Sequence, residues 1–179
     1  GGVARFDGEL VHLVAYHGVS QEASEAMRAA FPMKPGRGAI MARAILDRVP
    51  VQIADVLEDP DYAQKDAARR AGFRSNLAVP MFREGQVIGS IAVCREESGV
   101  FPDRLVRLLQ TFADQAVIAI ENVRLFNETK EALERQTATA EILQVISSSV
   151  ADTQPVFDAI LHSCERLFGA DDMCVLLSD

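Results

Sequence analysis

No stretch of this sequence reaches the ~18 uninterrupted apolar residues that a membrane-spanning helix needs, although 49% of its 179 residues are hydrophobic. No basic segment followed by an apolar one opens it, as a secretory signal would require. The expectation is a soluble chain in the cytoplasm, without direct membrane contact. Cysteine is scarce. Cys94, Cys164 and Cys174 are odd in number and far apart, which argues against a disulfide framework. His12, His17 and His162 make no zinc-binding spacing with them, so no metal site is expected. Clustered positive charge is missing too. The 18 Lys and Arg are scattered in a chain of net charge −8, whereas a surface for duplex nucleic acid concentrates its cations. Nucleic acid is not an expected partner.

Glycine and proline are unevenly spread. Residues 103–149 contain neither, which predicts one long helix of about 70 Å at 1.5 Å per residue. Its apolar positions, among them Leu105, Leu108, Phe112, Ala119, Phe126, Leu133, Ala140 and Leu143, fall near a 3-4 spacing. The first half ("FADQAVIAI") is apolar nearly all round, so it has one face for a sheet and another for something else. The second half has the thin seam of a two-stranded coiled coil. A second copy of the same helix is the simplest partner, giving a homodimer through residues 103–149. The alternative is a break near Asn127–Thr129 that turns the helix back on itself.

Upstream, the elements are short. Two apolar runs flank Asp7-Gly8 in residues 2–16, a hairpin signal. "SQEASEAMRAAF" (20–31) predicts a helix with Ser20 as N-cap. "FPMKPGRG" (31–38) is loop. Residues 39–47 predict a helix with Ile40, Ala44 and Leu46 inward, residues 49–56 a strand, and residues 58–72 a turn and polar helix stopped by Gly72. "GFRSNLAVPMFREGQVIGSIAVCR" (72–95) is a second hairpin whose tip is Arg83-Glu84-Gly85-Gln86, with Gly85 at positive φ. Pro80 cannot donate to a ladder, so it belongs at a bulge or where no strand faces it. Hairpins impose antiparallel neighbours. The order ββααβαββ therefore predicts an α+β domain: an antiparallel sheet flanked by helices, then the long helix. After residue 149 a new helix (155–169), N-capped by Asp152 or Thr153 and closed by Gly169, leads into a strand run (172–179). That pairing echoes the start of the chain and predicts tandem repetition.

The stretch 72–95, followed by "FPDRLVRLLQTFADQAVIAIENVRLF", resembles the GAF sensory domain of bacterial signalling proteins, in particular tandem arrays in sensor histidine kinases and nucleotide cyclases. The resemblance implies a GAF domain with a GAF/PAS-like sheet but lacking its first helix in residues 1–127, a helical linker of coiled-coil type in 128–153, and the first helix and strand of a following GAF unit in 154–179. It implies a ligand pocket on one sheet face, lined by Phe6, Ile40, Ile53, Tyr62, Phe73 and Ser75. Gly36, Arg37 and Gly38 lie before a helix N-terminus that offers N–H donors to an anion. Alternatively they form a plain turn. Arg74 is either an anion clamp or the partner of an acid such as Asp55. The cluster Asp55, Glu58, Asp59, Asp61 lacks the pattern of a calcium loop and reads as solvated loop.

The implied function is a regulatory sensor module without catalysis of its own. It would bind a small molecule or mediate dimerisation and relay signal through the helix to a distal output domain, such as a histidine kinase. The alternative is a thiol-dependent reductase of GAF type using Cys94. Neither ligand nor cofactor is identified by these residues. The Asn-Lys…Phe…Asp-Glu pattern of cyclic-nucleotide GAF domains is missing, as are the neighbouring Cys and His of bilin-binding ones, and residues 103–149 hold no histidine to accept a phosphoryl group.

Overall fold

The computed structural model describes residues 1–18, 21–148 and 154–168. Expectations for Ser20, Asp152, Thr153, Gly169, Cys174 and the strand 172–179 lie outside them. The chain divides into two units, Gly1–Ile120 and Glu121–Asp179.

The first unit is built on a five-stranded sheet of order β2-β1-β5-β4-β3, antiparallel throughout. Strands β1 (Gly2–Phe6) and β2 (Val11–Tyr16) form the first hairpin. Asp7 shapes its turn by accepting the backbone N–H groups of Glu9 and Leu10 at 3.0 and 2.8 Å, and Gly8 takes φ 103°. Helices α1 (Gln21–Ala29) and α2 (Ile40–Asp47) follow, then β3 (Val51–Ile53) and α3 (Lys65–Ala71). Gly72 stops α3 in the left-handed region, its N–H donating back to the Ala68 and Arg69 carbonyls. Strands β4 (Ser75–Arg83) and β5 (Gln86–Arg95) form the second hairpin, and α4 (Asp103–Ser148) completes the order.

The second hairpin shows why its sequence is as it is. Glu84 and Gly85 both have positive φ, 50° and 76°. That is a two-residue turn twisted like the strands it joins, and Glu84 shares the role expected of Gly85 alone. Short β3 pairs only with Asn76–Ala78 of β4. At Pro80 the strand therefore has a neighbour on one side only, and a register shift follows at Met81/Phe82. Gly89 answers a different demand. A Cβ there would lie 2.2 Å from the Ala4 carbonyl oxygen of β1, so only glycine lets β1 pair at this point.

Two expectations need correction. Leu46 is 49% exposed, because it lies about 200° round the helix from buried Ala44. The strand expected over 49–56 is shortened to Val51–Ile53, because Asp55 starts a turn by accepting the Leu57 N–H at 3.0 Å.

Each sheet face carries its own core. On one, α2 is buried through six consecutive residues, Ile40 to Ile45, and packs with Ala4, Val11, Ile53, Phe73, Ala78 and Ala92. On the other, α4 lays Leu105, Leu109, Ala113 and Ala116 against Leu77, Val79, Met81, Ile91 and Val93. Those helical positions repeat at the 3-4 spacing of one stripe.

In the second unit, α4 continues without a break at 127–129. Its surface carries successive ion pairs: Arg124 with Glu121 and Glu128, Lys130 with Glu134, and Arg135 with Glu131. Helix α5 (Gln154–Phe168) is held to it by Arg166, which donates to Glu141 at 3.0 Å. Ala138 and Ser163 are buried.

Candidate functional site

Two loops converge on α2. Residues 31–39 lead into it, and residues 54–64 follow β3. Arg43, only 3% exposed, fastens both. Its terminal nitrogens donate to Asp59 Oδ1 and Oδ2 at 2.7 Å each, and its Nε donates to the Arg37 carbonyl. Such two-pronged pairs fix geometry as well as adding energy. The hydrogen bond from Arg43 holds the Asp59 carboxyl below its ordinary value, against the opposing effect of burial. Arg37 Nε donates to Asp61 at 2.9 Å, and the Ala63 N–H donates to the Gly38 carbonyl at 2.9 Å. Asp55 receives Arg74, whose Nε lies 3.0 Å from both carboxylate oxygens, and this contact lowers the Asp55 pKa. Asp55, Asp59 and Asp61 of the acidic loop are thus paired with arginines, while Glu58 is exposed. Packing brings Arg43, Arg37 and Arg74 to this loop from three separate segments.

Between these loops, α1 and the sheet lies a cavity of about 20 Å³, room for roughly one water. Asn76 of β4 and its ladder neighbour Cys94 of β5 form part of the floor, with Ala92, Leu13 and Tyr16. Helix α2 contributes Ala39, Ile40 and Met41, while Met27, Phe31, Tyr62 and Gln64 close the remaining sides. Few polar groups reach it. Asn76 is 2% exposed, and its Nδ2 donates to Tyr62 Oη at 3.4 Å. Asn76 Oδ1 and Gln64 Nε2 are buried with no protein partner. Tyr16 Oη lies 3.8 Å from the Cys94 sulfur. Burial foremost, and then the nearby thiol, push the Tyr16 and Tyr62 phenols above their ordinary range, so both remain neutral. A buried polar atom left open costs ~1–3 kcal/mol, and here two such atoms lie in an apolar shell.

Of the residues expected at the site, Ile40 and Tyr62 line this cavity. Ile53 and Phe73 are buried in the core of the same face, and Phe6 packs at its margin. Gly38 and Arg37 stitch the two loops, with Gly36 beside them. Arg74 and Asp55 hold each other. Ser75 donates to the Glu97 carbonyl at 2.7 Å, pinning the segment after β5. Sequence reading missed Asn76, Gln64 and Tyr16. The one available signal was Asn76, an amide inside the apolar run "SNLAVPM". Among the described residues, no group of three or more His, Cys, Asp or Glu is placed to hold a metal ion, and no helix is long and apolar enough to cross a membrane.

Comparison with solved structures places this fold among known ones. A domain assigned to a two-component sensor histidine kinase from Sinorhizobium meliloti is similar at TM-score 0.57 and 18% identity, over 72% of this chain and 83% of that one. The GAF domain of a phosphoenolpyruvate-protein phosphotransferase from Coxiella burnetii is similar at TM-score 0.58 and 19% identity, over 71% and 74%. A GAF domain/HD domain protein from Geobacter sulfurreducens follows at 0.57 and 19%, over 69% and 80%. At these identities the likeness is one of fold. A search of curated proteins finds no match. The family model of the GAF domain matches residues 1–121, so the antiparallel sheet, the two covered faces and the long helix have a common explanation: this chain belongs to the GAF domain family.

Proposed function

We propose that the chain is a regulatory sensor module. A small molecule binds in the cavity beside α2, two copies pair through residues 103–149, and α4 relays the change to a distal output domain, a histidine kinase in the reading favoured here. The observation that carries this is the alternation of β5. Ala92 and Cys94 face the cavity, while Ile91 and Val93 pack in the core beneath α4. Neighbouring residues of one strand thus touch the two ends of the relay, and a shift of β5 is felt on both sides because packed interiors transmit displacement. The ligand can bias the helix only by its differential affinity for two arrangements.

The pairing rests on unburied apolar surface. Leu108, Phe112 and Ile118 in the first unit, and Val123, Phe126, Leu133 and Leu143 in the second, are 47–70% exposed. Such surface marks an interaction site. Light scattering on the purified chain is expected to give a dimer, and Leu133→Asp a monomer. A wild-type monomer, or a variant that remains dimeric, removes the carrier of the signal.

The reductase reading has one point in its favour, the Cys94 thiol at the cavity wall. A thiol reagent decides between them. Slow modification of Cys94 fits the sensor, whereas rapid modification that a sulfoxide substrate blocks favours the enzyme.

A further inference from the structure

The cavity carries more information than its location. Its walls are apolar apart from two phenols, two amides and a thiol, and no Asp, Glu, Lys, Arg or His lines it. Arg43, on the helix that contributes Ile40 and Met41 to the cavity, has its terminal nitrogens on Asp59 and its Nε on the Arg37 carbonyl. An ionised ligand would lose its hydration and meet no opposite charge, a cost that buried ions escape only by pairing. The buried polar atoms still open are an acceptor, Asn76 Oδ1, and a donor, Gln64 Nε2. Rotating the Asn76 amide by half a turn exchanges which of its atoms meets Tyr62 and which stays free. In the orientation present, a ligand that satisfies both open atoms carries a donor for Asn76 Oδ1 and an acceptor for Gln64 Nε2, whereas the exchanged orientation leaves two donors and suits an acceptor alone.

We infer that this cavity takes a neutral ligand bearing an uncharged amide edge, one N–H donor beside one C=O acceptor, on a small apolar or aromatic body. The inference rests on the sensor reading above and names the chemistry of its ligand. Asn76 and Gln64 hold the edge, and Ile40, Ala92 and Phe31 surround the body. The present space suits one water, so the walls must give. Met27 and Met41 both line the cavity, and unbranched methionine side chains repack more readily than other apolar ones.

Three probes of nearly equal shape separate the possibilities: benzamide (neutral, donor and acceptor), acetophenone (acceptor only) and benzoate (charged). Amide-resonance titrations of the whole chain are expected to show saturable shifts at Asn76, Tyr62 and Ala92 with benzamide. Acetophenone should bind about tenfold more weakly, because it leaves a buried partner unpaired, and benzoate more weakly still. Gln64→Leu, at a position only partly buried, should erase the preference for benzamide over acetophenone. Asn76→Leu should do the same if the variant folds. Equal binding of benzamide and acetophenone, tightest binding of benzoate, or no saturable shift with any of the three each overturn the inference. If benzamide fails while the chain remains dimeric, the ligand class is lost and the sensor reading stands. If benzamide binds a chain that is monomeric, the relay fails and the ligand class survives.

Discussion

The two faces of the sheet are covered by opposite strategies. Over one, α2 is buried from Ile40 to Ile45, loops are fastened across it by the Arg43–Asp59 and Arg37–Asp61 pairs, and polar atoms are sealed within. Over the other, α4 buries one stripe and leaves Leu108 and Phe112 in water, 47% and 56% exposed. The first face is finished by the chain itself and is suited to enclosing something small. The second presents apolar surface that a single copy does not cover. The sensor function proposed above would use the first surface for detection and the second for docking, the two being joined by strands whose residues alternate between them.

Substitutions can test that contrast. The largest effect is expected from Leu77→Ala, which empties a fully buried position beneath α4. Urea unfolding should show a loss of ~2–5 kcal/mol. Asp59→Ala should cost about 3 kcal/mol by leaving the Arg43 guanidinium buried and unpaired. It should also broaden the amide resonances of both loops. The same pair predicts a pH dependence. The Asp59 carboxyl is lowered in the folded chain, so its share of stability is complete above an ordinary carboxyl value of ~4. That share is lost as pH falls through the lowered folded value. The stability gap between wild type and Asp59→Asn should therefore narrow in acid, and a gap that is constant or widens from pH 6 to pH 3 contradicts the assignment.

Gly89→Ala, which forces a Cβ against the Ala4 carbonyl, should cost ~1–3 kcal/mol, read as a lower thermal midpoint with the sheet retained by circular dichroism. The smallest effect on folding belongs to Phe112→Ser, on the open face. Monomer stability should change by no more than ~0.5 kcal/mol, while dimer dissociation by sedimentation becomes easier. If Phe112→Ser destabilises the monomer as much as Leu77→Ala does, the second face is not open and the contrast fails.

Much of this architecture was legible because its signals are local. The Asp7-Gly8 turn, the Gly72 stop, the Glu84-Gly85 tip and the empty stretch of proline and glycine after Pro102 each follow from the residues at hand. Alternation on β4 was harder to use. Asn76 and Ala78 face α2, whereas Leu77, Val79 and Met81 face α4. A strand apolar on both sides does not announce which side holds the cavity. Ionic partners were harder still. Arg43 lies 16 positions from Asp59 and Arg74 lies 19 from Asp55, so whether an acid is solvated or paired depends on tertiary packing. Leu46 departs from expectation for a simpler reason: helical phase, not hydrophobicity, decides which side chains of α2 face the core.

The ends of the sheet bear on how copies of this chain can meet. An outer strand with free backbone groups invites another chain to extend the ribbon. Here one outer strand, β3, is only three residues long. The other, β2, has its first residue, Val11, bridged by Met33, the two exchanging hydrogen bonds at 2.7 and 3.0 Å. Truncation at one border and a strap at the other discourage runaway stacking. Such a chain can expose greasy helical surface at lower risk of growing into fibres.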